Sequence, residues 1–212
     1  MLFQYPKRDI TIIIIIFAIL FVLLVSLPSI VAFVRAQNVR ATMGTAEVQL
    51  SPDERKAIEK EIVDIHNTIQ KGGTQGEATL AQQYIKLGES YERLGYLLKA
   101  HDAYARALKQ EAKNTDATIH MAQALGAMGD HGGAHDAFEK AIEYEPVNPE
   151  TYKAYADYYA NVRHDIEEAR GVYLKGLIAT VNNKDLMRAY IAFLDSIGAE
   201  SESAAYRQEI SK

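Results

Sequence analysis

The 212-residue chain contains no cysteine. Disulfide frameworks, thiolate nucleophiles and cysteine metal sites are therefore excluded, and the absence is compatible with either side of a membrane. Basic charge is also scarce where nucleic acid would need it. The formal net charge is −5, but Lys7, Arg8, Arg35 and Arg40 against Asp9 give residues 1–40 a net +3 and leave −8 on the rest. Such a body is repelled by phosphate backbones and anionic lipid heads, so nucleic-acid binding is not its main task. Catalytic signatures are missing as well. HExxH, the Walker A loop, GxGxxG and GxSxG do not occur, and "GESYE" lacks the second glycine of the last. At 48% hydrophobic and 24% charged, the chain is nonetheless large enough for one domain with a core plus an accessory segment.

Charge is absent altogether from Ile10 to Val34. At 1.5 Å per residue this run reaches roughly 37 Å, enough to cross a hydrocarbon core of about 30 Å with tilt. Pro28 within it is tolerated in a membrane helix. Val34 and Ala36 before Gln37 also resemble a processing site. The apolar run from Ile10 to Val25 already meets or exceeds a usual signal core, however, and Arg35 sits inside that site. The expectation is a retained single-pass anchor in contact with the lipid bilayer. Lys7 and Arg8 with the amino terminus slightly outweigh Arg35 and Arg40, which places the 1–9 tail inside and the body outside the cytoplasm.

Residues 35–50 show no clear period and read as a spacer. Residues 51–71 then carry the signals of an amphipathic helix. Ser51 and Glu54 form a capping box, Pro52 suits the first helical position, and Asp53 and Glu54 favour the positive end of the dipole. Ile58, Ile62, Ile65 and Ile69 draw one apolar stripe, expected to pack on the domain C-terminal to it. Gly72 and Gly73 end the helix, and residues 72–80 read as a linker without a phosphate-binding lysine.

From residue 81 the chain repeats itself every 34 residues. Leu87 falls on Met121 and Tyr155, Gly88 on Ala122 and Ala156, and Tyr91 on Leu125 and Tyr159. Gly95 falls on Gly129, Ala100 on Ala134, Tyr104 on Phe138 and Ala107 on Ala141. In the third copy one residue is inserted in "NVRHDIEEA", placing Arg163 where the turn glycine stands, before Ala169, Tyr173 and Gly176 resume the series. Large residues recur at large positions and small at small, which marks stacked helical hairpins. The copies span 81–114, 115–148 and 149–183. A degenerate fourth copy with a capping helix fills 184–212, keeping Leu186, Tyr190, Leu194, Gly198 and Ala204 at an offset of 35.

This pattern resembles the tetratricopeptide repeat, carried in the first copy by Tyr84, Leu87, Gly88, Tyr91, Gly95, Ala100, Tyr104 and Ala107. Thr118, Ala112 and Arg163 depart from it. The resemblance implies an all-α fold, a right-handed α-solenoid, which would stand behind the single N-terminal transmembrane helix expected from the uncharged run Ile10–Val34. It also implies a concave groove, lined by the first helix of each hairpin, that takes a protein or peptide. By register the groove shows Gln82, Ile85, Glu89, Glu92 and Arg93, then Asp116, Ile119, Gln123 and Ala127, then Glu150, Lys153, Asp157 and Asn161. Ile85 and Ile119 would form an apolar contact point between acidic rims. The family's clamp for carboxylate termini needs lysine, asparagine and arginine. Here Ile85, Glu89, His120, Glu150 and Ala154 stand there, excluding that ligand class.

No cofactor, metal site or enzymatic activity is expected. His131 and His135, beside Asp130 and Asp136, are interrupted by Gly132 and Gly133 at a turn. His66, His101, His120 and His164 read as ordinary helix residues, and Glu167 and Glu168 as a solvated face. The expected role is a membrane-anchored scaffold assembling a cell-envelope complex. The alternative is an accessory subunit whose transmembrane helix makes the specific contacts.

Overall fold

The computed structural model describes residues 50–72 and 79–211, all within one compact unit. The expected membrane span Ile10–Val34, its flanks and most of the linker lie outside the described residues. Among the described residues every regular element is helical. The order is α1 (Pro52–Gln70), α2 (Leu80–Arg93), α3 (Leu97–Gln110), α4 (Thr115–Ala127), α5 (His131–Tyr144) and α6 (Pro149–Tyr158). A π-helical turn at Tyr159–Arg163 comes next, then α7 (Ile166–Ala179), α8 (Lys184–Ser196) and α9 (Glu200–Ile210). Among these residues no helix is long and apolar enough to cross a membrane.

Local chemistry starts these helices. Ser51 accepts from the Glu54 amide while Glu54 reaches back to the Ser51 amide, closing the capping box of α1. Thr79 and Gln82 do the same for α2, with the Thr79 amide donating to Gln82 Oε1 at 2.9 Å. Asn114, Asp130, Asn148, Asp165 and Asn183 each cap a later helix through a side-chain oxygen.

The hairpins α2–α3, α4–α5, α6–α7 and α8–α9 pack in succession, and each first helix also touches the first helix of the next hairpin. In the first three hairpins, small residues on both helices make room for one ring. Ala100, Ala122, Ala134, Ala156 and Ala169 are wholly buried, as are Tyr104 and Phe138, with Tyr173 almost so. A Cβ on Gly88 would stand 2.3 Å from the Tyr104 ring, which no side chain tolerates. The helix penalty of about 1 kcal/mol for that glycine is offset by seating a buried aromatic, worth about 1.5–3 kcal/mol. The ring then reaches the next copy. Tyr104 stacks on His120 at 5.3 Å, Phe138 on Tyr155 at 4.7 Å, and Tyr173 packs tilted on Tyr190 at 5.3 Å.

The turns inside the hairpins close by one hydrogen bond spanning five residues. Tyr96 N donates to Tyr91 O at 2.8 Å, Asp130 N to Leu125 O at 2.9 Å, and Ala199 N to Leu194 O at 2.9 Å. Gly95, Gly129 and Gly198 occupy the left-handed position in those loops, with φ of 74°, 80° and 76°. In the third copy the inserted residue is taken up as the π-turn, and the closing bond spans six, from Asp165 N to Tyr159 O at 2.9 Å. Arg163 is therefore π-helical, and His164, not Arg163, adopts the left-handed conformation at φ 54°.

A second register correction stems from the same insertion. The fourth copy's turn has reverted to ordinary length, so its second helix runs 34 residues after the third's. Ser203 is wholly buried in the place of Ala169, while Ala204 faces solvent. At the other end α1 lies against α2, with Ile58 and Ile65 buried and Ile62 and Ile69 packing near Leu87, Ala103, Tyr84 and Tyr91.

Three substitutions test this packing in urea titrations. Gly88→Ala is expected to lose about 2 kcal/mol, because Tyr104 cannot move aside, whereas Gly171→Ala, with open space around it, gains about 0.5–1 kcal/mol. His164→Gly is expected to gain about 1 kcal/mol by relieving the left-handed histidine, read as a raised unfolding midpoint with unchanged slope.

Candidate functional site in the concave face

First helices of successive hairpins touch one another, whereas second helices spread apart. Stacking of this kind turns the first helices inward and makes them line the inner surface. The residues selected by register fall on these helices, but they divide into distinct environments.

Ile85 and Ile119 are not presented to solvent. They are 8% and 5% exposed and pack in the hairpin interior, Ile85 with Ala81, Tyr104 and Ala117, Ile119 in the cluster of Ala122 and Phe138. The apolar contact point expected there is a core contact, because the helix turns these positions toward its neighbour. Gln82 spends its carbonyl on the α2 cap. Asp116, Gln123 and Ala127 are exposed along α4. Arg93 is drawn to α1 by Glu61 at 2.8 Å.

In the third copy, Lys153 lies 3.6 Å from Glu150 and 3.3 Å from Asp157. Burial opposes its charge, but the Asp157 and Glu150 carboxylates outweigh burial and hold the ammonium above the usual lysine range. The Tyr173 hydroxyl donates to Asp157 Oδ1 at 2.8 Å. Burial, then the Asp157 charge, pushes that phenol up. Lys153, Asp157 and Asn161 form one wall of a cleft of about 420 Å³ between α6 and α8. The other wall is Ala189, Ala192, Phe193, Ser196 and Ile197, with Ala160, Ile166 and Tyr173 between. Reading by register missed the α8 wall, although carrying the offset of 35 one copy further from Asp157 and Asn161 reaches Ala192 and Ser196.

Glu89 and Glu92 sit on the same inward face in the first copy. His120 on α4 bridges them, with Nε2 3.4 Å from Glu89 and Nδ1 3.9 Å from Glu92. Burial pushes the Glu92 carboxyl up to about 7, the Tyr104 hydroxyl opposing and Glu89 reinforcing. A larger cleft of about 730 Å³ lies away from these inward residues, where Leu108, Met121, His135 and Tyr144 meet. His131 and His135 lie within the first turns of α5, not at an interrupting turn. Their Nδ1 atoms meet Tyr158 Oη at 3.0 Å and Tyr155 Oη at 2.5 Å. Among the described residues no group of three His, Asp or Glu side chains is placed to hold a metal ion.

No family model matches the chain, and no curated protein is similar to it in sequence. Solved structures are similar. A crystal structure of MamA superposes with a TM-score of 0.51 at 14% identity, covering 77% of this chain and 94% of that one. A second MamA crystal structure gives 0.50 at 15% identity, over 74% of this chain and 82% of that one. The likeness is one of fold. It extends to a TPR-like stack of helical hairpins, and at such identity it carries nothing about ligands.

The elevated Glu92 pKa has a definite consequence for stability. The folded state holds a proton that the unfolded chain has released between the ordinary carboxylate value and about 7. Its contribution is present at low pH and is lost as pH rises through about 7. Glu92→Gln is therefore expected to match wild type near pH 5 and to exceed it by about 1–2 kcal/mol near pH 8, measured by urea unfolding at both values.

Proposed function

We propose that this protein is a membrane-anchored scaffold whose stacked hairpins hold a protein or peptide partner on their concave face. The observation that carries the proposal is the cleft between α6 and α8. It has an apolar floor from Phe193, Ile197 and Ala160 and a polar rim from Lys153, Asp157, Asn161 and Ser196. That combination suits an extended or helical segment of another chain. The helix α1 closes the end of the stack and leaves this cleft uncovered. The TPR-like stacking shared with MamA supports the reading, since repeated hairpins provide extended binding surfaces.

Anchoring and placement belong to the same proposal. The uncharged run Ile10–Val34 would hold the stack at the cell membrane and raise the local concentration of partners in two dimensions. The slight excess of flanking positive charge at the amino terminus favours an extracytoplasmic stack, assembling a cell-envelope complex. No enzymatic role is proposed; Lys153, Asp157 and Tyr173 in the cleft are engaged with one another.

Ala192→Trp tests the cleft. Ala192 is exposed on α8 and lines the cavity, so the indole fills the cavity without entering the core. The full chain carrying this change is expected to fold normally by circular dichroism and to lose the proteins that co-purify with wild type from detergent extracts. Undiminished capture by the folded variant rejects the cleft as the docking surface.

A further inference from the structure

We propose that Glu89, Glu92 and His120 form a seat for a lysine or arginine side chain of the docked partner. This rests on the reading that the concave face receives a partner segment, and it specifies one chemical requirement of that segment.

At matching positions the first copy has Ile85 and Glu92 where the third has Lys153 and Ala160. Glu89 stands 68 residues before Asp157, and Tyr104 occupies in its hairpin the place of Tyr173. In the third copy the constellation is complete: a carboxylate receives a tyrosine hydroxyl at 2.8 Å and a lysine ammonium at 3.3 Å. In the first copy the position of Lys153 is taken by Ile85, which is buried in the core. The carboxylates and the tyrosine are present without the cation.

The polar groups left over point the same way. Tyr104 is wholly buried, and its hydroxyl lies near the Glu92 and Glu89 carboxylates without a hydrogen bond of ordinary geometry to either. His120 Nδ1 is likewise buried without such a bond. Among the described residues no lysine or arginine lies within ion-pair distance of Glu89 or Glu92, and Arg93 on the same helix is turned to Glu61 on α1. Two half-buried carboxylates three residues apart on one helix face, with His120 between them and no lysine or arginine, repel each other once both are ionised. A guanidinium or ammonium reaching Glu89 and Glu92 from the groove restores the arrangement that Lys153 supplies internally in the third copy.

Proton linkage arises from the groups that face the seat, which are Glu89 and Glu92 on α2, Tyr104 on α3 and His120 on α4. Burial sets the Glu92 carboxyl near 7, and cation binding requires it ionised. Affinity is therefore full above about pH 7 and is lost as pH falls through that value.

The test uses the full chain in detergent at low ionic strength, with pentalysine amide and penta-arginine amide as probes, titrated calorimetrically near pH 8 and near pH 6. Wild type is expected to bind at least one probe roughly tenfold more tightly than E89Q/E92Q near pH 8, and to lose most of that difference near pH 6. E167Q/E168Q removes the same charge from α7 and is expected to stay within about twofold of wild type. Binding by E89Q/E92Q within about twofold of wild type overturns the seat. An equal loss in E167Q/E168Q also overturns it, because diffuse net charge then accounts for the effect. Ala192→Trp separates the two proposals: it leaves probe binding intact if the seat is real, whatever becomes of partner capture in the cleft.

Discussion

The structure depends on one repeated contact, a buried aromatic ring on the second helix of a hairpin seated against a small residue on the first. Tyr104 over Gly88 is its tightest instance. The contact sets the spacing within a hairpin, because nothing larger than hydrogen at residue 88 admits the ring. It also joins hairpins, since Tyr104, Phe138 and Tyr173 each meet a ring of the next copy. Ring contacts thus recur at each junction along the stack, and hairpins with no large core of their own bury side chains against the next. Each buried aromatic contributes a few kcal/mol at most, so the stack is stable only as a series.

Function is what this packing leaves over. First helices crowd together on the inner side, and their remaining positions face the groove. In the third copy Lys153, Asp157 and Tyr173 pair with one another, and beyond them the wall of α8 opens an apolar cleft. The first copy has the core Ile85 in place of that lysine and Glu92 where the third copy has Ala160, so its two carboxylates share His120 and have no lysine or arginine. Variation at two matching positions, Ile85 against Lys153 and Glu92 against Ala160, distributes a self-paired polar rim to one end of the groove and a cation-seeking one to the other.

Sequence reading was accurate wherever one residue's size decided the outcome. The series at Gly88, Ala122 and Ala156 and at Ala100, Ala134 and Ala169 appears in the structure as the hairpin contacts, because steric exclusion acts locally and repeats with the chain. Register failed beyond the inserted residue. Whether the extra residue shifts one helix or both depends on how the turn closes, and the six-residue closure at Tyr159–Asp165 confined the shift to one hairpin. Ser203 therefore took the buried place expected of Ala204. Ile85 and Ile119 failed for a related reason: a helix face counts as groove or core according to the angle at which its neighbour packs. Glu92 was legible as a first-helix carboxylate, but its retained proton arises from burial in the folded stack.

The amino-acid sequence by itself determined the helical hairpins, their caps and the places where rings meet small residues, since these stem from side-chain volume and short-range hydrogen bonding. Only the tertiary structure decided which inward residues stay in water, which carboxylates find a partner and where the cleft opens. Those outcomes depend on distances between helices far apart in the chain, which no local period encodes.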